Sequence, residues 1–278
     1  MFKYPEKIIL SVAPVAHVGT KLPSGLKNPL TPEDVAAEVL GCARAGASMV
    51  HLHVRNLKGE QVQDLSCFSQ TIDLIRKESD IVIQGSTGGV SDLSLEDRCV
   101  STKEPRTEVA SLNMGSVNFG DGVYINTLPD IKFWIGQMKK YNVVPELEIF
   151  DFSMLTSIEK LVDEGLLKLP LNYNFSLGFA GALPADPKLL ARLIDCLPQG
   201  SHWGLIHEGM KDFKLLAAAL GMGATAIRVG YEDGRQYLPE GPFPSNTVLV
   251  QKAAELIHSL GLQLATPAEA RKLLTTLK

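Results

Sequence analysis

Eight times along the 278-residue chain a short, apolar, β-branched-rich segment gives way to a helical stretch. That alternation constrains the fold more than any other feature. Parallel strands return only through long crossovers, so repeated strand–helix units leave an open doubly wound sheet or a closed barrel. Strands are read at 7–13, 47–55, 81–86, 108–115, 143–150, 167–178, 202–209 and 224–230. Helices are expected from Pro32, over 66–78, from near Ser91, over 129–140, after Asp151, from Asp186, up to Leu220, and from Asn246 to Leu260. The first is marked by Thr31 as N-cap, with Glu33 and Asp34 where the helix dipole favours negative charge. A last helix over 266–274 opens on Thr266 and Pro267. Eight units in a chain of this length match a (β/α)8 barrel, typically ~250 residues. The expected fold is therefore α/β, a TIM barrel filling residues 1–278 as a single domain with a C-terminal helical extension.

Composition narrows the function classes. Hydrophobic residues make up 45% of the chain, enough for a large core. The formal net charge of −4 offers no basic surplus for a phosphate backbone, so no nucleic-acid partner is expected. No apolar run approaches the ~20 residues that span a bilayer, and MFKYPEKIIL lacks a signal-peptide pattern. Cys42, Cys67, Cys99 and Cys196 form no CxxC pair and read as reduced thiols. The expectation is a cytoplasmic protein with no membrane partner.

Side chains alternate along a strand, which sorts the polar residues onto one face. His51, His53 and Arg55 oppose Val50, Leu52 and Val54. Glu146 and Glu148 oppose Leu147 and Ile149, and Asn172, Asn174 and Ser176 oppose Leu171, Tyr173 and Phe175. Arg228 opposes Ile227 and Val229, and Gln84 and Ser86 oppose Ile81 and Ile83. In a barrel the polar face is the lumen, where unpaired groups cost several kcal/mol. Many of these residues stand at C-terminal strand ends, where barrel active sites are built.

The sharpest single signal is His51-Leu52-His53. Two imidazoles two residues apart on a strand project the same way and can share a metal ion, although a hydrogen-bonded core pair has the same spacing. Glu232 and Asp233 follow the last strand, which neighbours the first when a barrel closes. A third ligand from there gives His₂Glu with open positions, the pattern of a catalytic zinc. His207 is placed near the mouth and His17 after the first strand; His202 and His258 read as ordinary polar residues, and Trp134 and Trp203 as core or interface. Ser86-Thr87-Gly88-Gly89 follows the third strand, where backbone N–H groups can form an anion nest. Gly115-Ser116 after the fourth strand reads the same way. The candidate substrate contacts are Thr87, Gly88, Asn113 and His17. No nucleotide-binding glycine motif or GxSxG elbow is present.

Taken in order, HLHVR, QGSTGG, SLNMGSVNFG, PELEIFD, RVGYEDG and ATPAEAR resemble the β-keto acid cleavage enzymes through nearly the whole chain. The resemblance implies a TIM barrel with one zinc ion and acetyl-CoA as co-substrate. It implies conversion of a β-keto acid and acetyl-CoA into acetoacetate and a new acyl-CoA. It makes His51, His53 and Glu232 the zinc ligands, and sets Arg228 and Asp233 with Ser86 to deprotonate the substrate. Glu146 matches the family's acidic residue on the fifth strand, with Glu148 on the same face. A homo-oligomer, with a tetramer as one form, is expected.

The pattern departs from the family at one informative place. The member acting on an amino substrate is expected to carry a glutamate near the end of the first strand. Here that stretch reads Ala13-Pro14-Val15-Ala16-His17, and no carboxylate appears before Glu33. Gly234 also stands where the family often has Asn. A metal-dependent aldolase and an amidohydrolase-like zinc hydrolase are the alternative enzyme classes. The second would want histidines on the fifth and sixth strands, which carry carboxylates and asparagines instead.

Overall fold

The computed structural model describes residues 5–20, 22–89, 93–234 and 244–275. In chain order the strands are β1 (Lys7–Val12), β2 (Met49–Leu52), β3 (Val82–Gly85), β4 (Val109–Asn113), β5 (Val117–Phe119) and β6 (Gly122–Tyr124). They continue with β7 (Val144–Ile149), β8 (Asn172–Leu177), β9 (His202–His207), β10 (Ala226–Val229) and β11 (Gln263–Leu264). The helices are α1 (Pro32–Arg44), α2 (Ser66–Arg76), α3 (Leu95–Arg98), α4 (Leu128–Tyr141), α5 (Ser153–Asp163), α6 (Pro187–Asp195), α7 (Lys214–Gly221), α8 (Asn246–Ser259) and α9 (Pro267–Thr275).

Eight strands pair in parallel in the order β1-β2-β3-β4-β7-β8-β9-β10, and β10 returns to β1 with Ser11 opposite Arg228. The sheet is therefore a closed barrel with helices between its strands, the second of the two arrangements that the strand–helix alternation allows. Helix starts follow local chemistry. Thr31 Oγ1 accepts from Asp34 N, and Thr127 and Asp130 form a reciprocal capping box at α4. Among the described residues, no helix is long and apolar enough to cross a membrane.

Three segments differ from the sequence expectation. The helix expected near Ser91 begins on residues outside those described. The described part of that connection holds only the single turn of α3, capped by Ser94, and a 3-10 turn at Val100–Lys103. The loop after the fourth barrel strand contains the antiparallel hairpin β5–β6. The sixth barrel strand starts at Asn172, because 167–171 are spent on the approach to it.

The alternating pattern divides the interior. Leu10, Val50, Ile83, Leu112, Leu147, Phe175 and Ile227 point outward into the helix layer and share one apolar core. Ile9, Met49, Val82, Val109, Val144 and Ala226 point inward at the bottom of the barrel. There they meet Ala265, Ala270 and Leu274, so α9 stoppers the floor. Arg271 anchors that helix to Glu108 and Asp80, with Arg76 also on Glu108 at 3.2 Å. Above the floor the lumen turns polar.

Because Ala270 is fully buried against that floor, Ala270→Asp should cost about 3 kcal/mol or more, the penalty of an unpaired buried carboxyl. Urea denaturation checks this; a loss well below ~1 kcal/mol would mean α9 does not stopper the barrel.

Candidate active site

Closure of the barrel assembles the site. Gly230, at φ +148, lies so close to β1 that a Cβ there would sit 2.1 Å from Ala13 O. The following turn is tied down by Glu232 N donating to Ala13 O at 3.2 Å and Asp233 N donating to Gly230 O at 3.2 Å. Asn246, at the start of α8, accepts from Tyr231 N at 2.9 Å and donates to Pro14 O at 3.1 Å. Glu232 is thereby held over the barrel mouth, facing the two histidines of the second barrel strand.

His51 Nε2 and His53 Nε2 are 3.4 Å apart, and Glu232 Oε1 is 3.4 Å from the second and 3.6 Å from the first. Tetrahedral coordination with Zn–N near ~2.0–2.1 Å spaces neighbouring donor atoms by about 3.3 Å. Two imidazoles and a carboxylate at this spacing fit one divalent ion of zinc's preferences. His51 Nδ1 sits 2.7 Å from Gln84 Oε1, its neighbour in register on β3, so the ring donates there and presents the Nε2 lone pair. Burial lowers His51 to about 3 and His53 to about 4, so both are neutral at physiological pH. Burial works against the charge of Glu232, but His53, His51 and Arg228 outweigh it and hold the carboxyl well below its usual range.

Beside the triad stands a buried ion pair. Arg228 Nε and Nη2 reach Asp233 Oδ2 and Oδ1 at 2.8 and 2.5 Å. Arg228 also lies 3.5 Å from Glu232 Oε1 and 3.8 Å from Glu148 Oε1. Arg228 lines the cavity, whereas Asp233 stands behind it. A carboxylate among cations is expected to have a lowered pKa. Burial instead raises Asp233, with Arg228 pulling the other way. On the fifth barrel strand, Glu148 lines the cavity. Glu146 is buried away from it and accepts from Asn174 Nδ2 at 2.8 Å. Burial pushes Glu148 up to about 8, helped by Glu146, Glu232 and Asp233 and opposed by Arg228.

The loop after β3 is built differently from an anion nest. Thr87 N donates to Ser111 Oγ, Gly88 N to Ser86 Oγ and Gly89 N to Tyr124 Oη. Those N–H groups are spent within the chain. The two glycines instead admit side chains: a Cβ on Gly88 would lie 2.3 Å from Tyr124 Oη, and one on Gly89 would lie 2.6 Å from Gln61 Nε2. Ser86, Gly88 and His17 do line the cavity. Thr87 does not, because its hydroxyl donates to Ser111 O at 2.6 Å. Asn113 is likewise buried off the cavity, accepting from Gly115 N at 3.2 Å. His207 is half-buried and away from the lining, and Trp134 and Trp203 lie in the core.

The cavity is about 530 Å³ in volume. Opposite the triad its wall is aromatic. Phe119, Phe179, Phe150 and Tyr124 touch in a closed ring, with centroids 4.9–6.2 Å apart. Sequence reasoning missed this wall, because its members come from the β5–β6 hairpin and two separate strand ends. It also missed Gln61, which follows a loop no periodicity marks. Alternation puts Gln84 on the inner face, and the β2–β3 register, which only the structure shows, sets it against His51.

Residues 7–275 match the family described as beta-keto acid cleavage enzyme. The chain belongs to that family. A 3-keto-5-aminohexanoate cleavage enzyme of Fusobacterium nucleatum subsp. nucleatum is 34% identical over 98% of this chain and 99% of its own length. A 3-oxoadipate:acetyl-CoA acetyltransferase of Cupriavidus necator is 33% identical over 97% of this chain and 95% of its own. Among solved structures, apo ObcA superimposes with a TM-score of 0.72 at 20% identity, a likeness of fold. It covers 89% of this chain, which spans 65% of that longer one.

The raised pKa of Glu148 has a consequence for this β-keto acid cleavage family member. A carboxyl lifted on folding contributes stability that is present below its unfolded pKa and is lost as pH rises through about 8. Glu148→Gln mimics the neutral form. Its melting temperature relative to wild type should climb between about pH 5 and about pH 9. A rise of a few °C is expected, at roughly 2–4 °C per kcal/mol for a chain this size. A difference that stays flat across that range would contradict the raised value.

Proposed function

We propose that this enzyme condenses a β-keto acid with acetyl-CoA and cleaves the product to acetoacetate and a new acyl-CoA, using one zinc ion held by His51, His53 and Glu232. The observation that carries this reading is the triangle of three donor atoms beside the buried Arg228–Asp233 pair, in one cavity at the C-terminal ends of the strands. The family membership and the acetyl-CoA named in the Cupriavidus relative support the reaction class. Four free cysteines support a cytoplasmic setting.

When bound, zinc supplies Lewis-acid polarisation of the keto group. The rest of the chemistry falls to the chain. Arg228, kept charged by Asp233, Glu232 and Glu148, faces the cavity and holds the substrate carboxylate. The α-proton leaves through the Ser86–Arg228–Asp233 group: Asp233 is the final acceptor, and because it stands behind Arg228 the proton is relayed to it from the cavity side, where Ser86 lines the wall. The burial that raises Asp233 makes it a stronger base than an ordinary carboxylate. The carbanion carbon then attacks the acetyl thioester, forming a C–C bond and releasing the CoA thiolate. That thiolate attacks the distal carbonyl, and the old C–C bond breaks to give the new thioester and the carbanion of acetoacetate, which takes back the proton held by Asp233. No covalent enzyme nucleophile is required.

The cavity favours a substrate tail without positive charge. Ala13 and Ala16, after the first barrel strand, are buried off the cavity, so that stretch brings no carboxylate to the wall and presents only His17 there. Glu148 faces the cavity, and burial raises its pKa to about 8, which disfavours a charged carboxylate there. Glu146 is not on the wall, and Glu60, an exposed lining residue, accepts from Asn56 Nδ2 at 2.8 Å. The aromatic wall supplies apolar surface instead.

Purified protein should hold one divalent ion per chain, and chelation should abolish turnover that zinc restores. Asp233→Asn should keep the ion and lose on the order of 10²–10⁴ in rate. A metal-poor protein whose activity survives chelation would overturn the metal assignment, and near-normal turnover by Asp233→Asn would overturn the base.

A side-by-side assay of β-keto acids with acetyl-CoA tests the tail. kcat/KM should be higher for straight-chain or carboxylated substrates than for 3-keto-5-aminohexanoate. A missing ion partner at a buried site costs ~3–5 kcal/mol, so the preference should exceed a factor of about 100. Preference for the amino substrate would show that a glutamate from another strand receives the ammonium.

A further inference from the structure

Between β2 and α2 the chain makes a tight loop that the chemistry above leaves unused. Asn56 Oδ1 accepts from Lys58 N and Glu60 N, and Gln61 is returned to a bridge opposite Arg55. Gln61 is thereby set beside His53 and against the loop after β3. Its Nε2 donates to Gly88 O at 2.9 Å, and the same nitrogen lies 2.8 Å from His53 Nδ1. A backbone carbonyl only accepts, so Gly88 O fixes which end of the amide points inward. The second hydrogen of that amide then requires Nδ1 of His53 to be an acceptor. The His53 proton must sit on Nε2, which faces Glu232 Oε1 at 3.4 Å.

A metal ligand cannot keep that arrangement. Binding an ion uses the lone pair of Nε2, which moves the ring proton to Nδ1. Two donors would then face each other across 2.8 Å. Turning the amide end for end puts Oε1 on Nδ1–H, but also brings that oxygen against Gly88 O, an acceptor against an acceptor. One side-chain amide cannot serve both neighbours once the tautomer changes.

We propose that Gln61 is a positioning residue that couples occupancy of the His51–His53–Glu232 centre to the Ser86–Gly89 loop, holding the loop in the metal-free enzyme and releasing it when metal binds. The proposal rests on the metal reading given above. Gly89 is part of the device. At φ +128, a Cβ on it would fall 2.6 Å from Nε2 and 2.7 Å from Oε1 of Gln61, so glycine leaves the room in which the amide turns. Once the tether opens, the N–H bonds of Gly88 and Gly89 to Ser86 Oγ and Tyr124 Oη hold the loop without it, so they open more often and their protons exchange faster. Gly88 and Ser86 line the cavity, so the released segment is the one that adjusts to substrate.

The test uses full-length protein, stripped of metal and then reloaded with zinc, and reads two quantities other than activity. Hydrogen exchange follows residues 86–89, and competition with a chromophoric chelator gives zinc affinity. In wild type, zinc should speed exchange in this segment several-fold, against the usual tightening on ligand binding. Gln61→Glu only accepts, so its segment should exchange fast with or without zinc while zinc affinity is held or improved. Gln61→Met neither donates nor accepts; its segment should also exchange fast in both states, and zinc affinity should fall ~10-fold or more. Zinc that binds wild type but leaves or slows exchange in this segment overturns the proposal alone, as does weakened zinc binding in Gln61→Glu. A wild-type chain that binds no zinc overturns the metal reading and the proposal with it.

Discussion

The pairing of β10 with β1 is the contact on which the site depends. It sets Ser11 opposite Arg228 and presses Gly230 against Ala13 O, so the turn carrying Glu232 and Asp233 is laid across the mouth of the barrel. The histidines arrive independently, on β2, next to β1. Were the sheet open, with β1 and β10 as edges, Glu232 would lie a full sheet's width from His53. Closure turns a sequence separation of 179 residues into a 3.4 Å contact. It also explains why a side chain at 230 would harm function, since the clash falls on backbone that cannot swing aside.

The charges at the mouth form a single balanced group. Arg228 is surrounded by Asp233, Glu232 and Glu148, three carboxyls around one buried cation. A buried cation of this kind is tolerable only when its partners make up its lost hydration. Asp233 does so with two short hydrogen bonds. With Asp233 and Glu232 ionised the group already carries one net negative charge, and the raised pKa of Glu148 avoids adding a second. The divalent ion that fits the triad would shift this balance, because it adds positive charge on the far side of Glu232.

Much of this was legible in the sequence. Period-two alternation places His51, His53, Gln84, Glu148 and Arg228 on the inner face, and the strand count favours a closed barrel over an open sheet. What stayed hidden depends on directions within loops and on depth along a strand. Glu146 and Glu148 have the same parity, so only their height in the barrel separates a buried partner of Asn174 from a cavity residue. Thr87 and Asn113 lie in motifs that resemble the family's, yet their hydroxyl and amide are turned into backbone contacts. The glycines at 88 and 89 suggest an anion nest by sequence, yet their N–H groups are bonded within the chain and their role lies in the missing Cβ atoms. The α3 connection carried too little apolar periodicity to set its helix length.

The lumen divides its labour by depth, and the division has a physical cost. In the floor layer every inward residue from β1 to β7 is apolar and sealed by α9. One layer up, Ser11 Oγ, Gln84 Nε2, Asn174 Oδ1 and Arg228 Nη1 are buried without a hydrogen-bond partner among the described residues. Each such group costs about 1–3 kcal/mol when left unsatisfied. A chain under selection for stability alone would replace them with the leucines and valines used below. Their retention directly under the triad is the trade expected where reactivity competes with stability. The apolar floor and the outer helix layer offset that cost, and they let the barrel hold polar groups in place before substrate arrives rather than organising them around it.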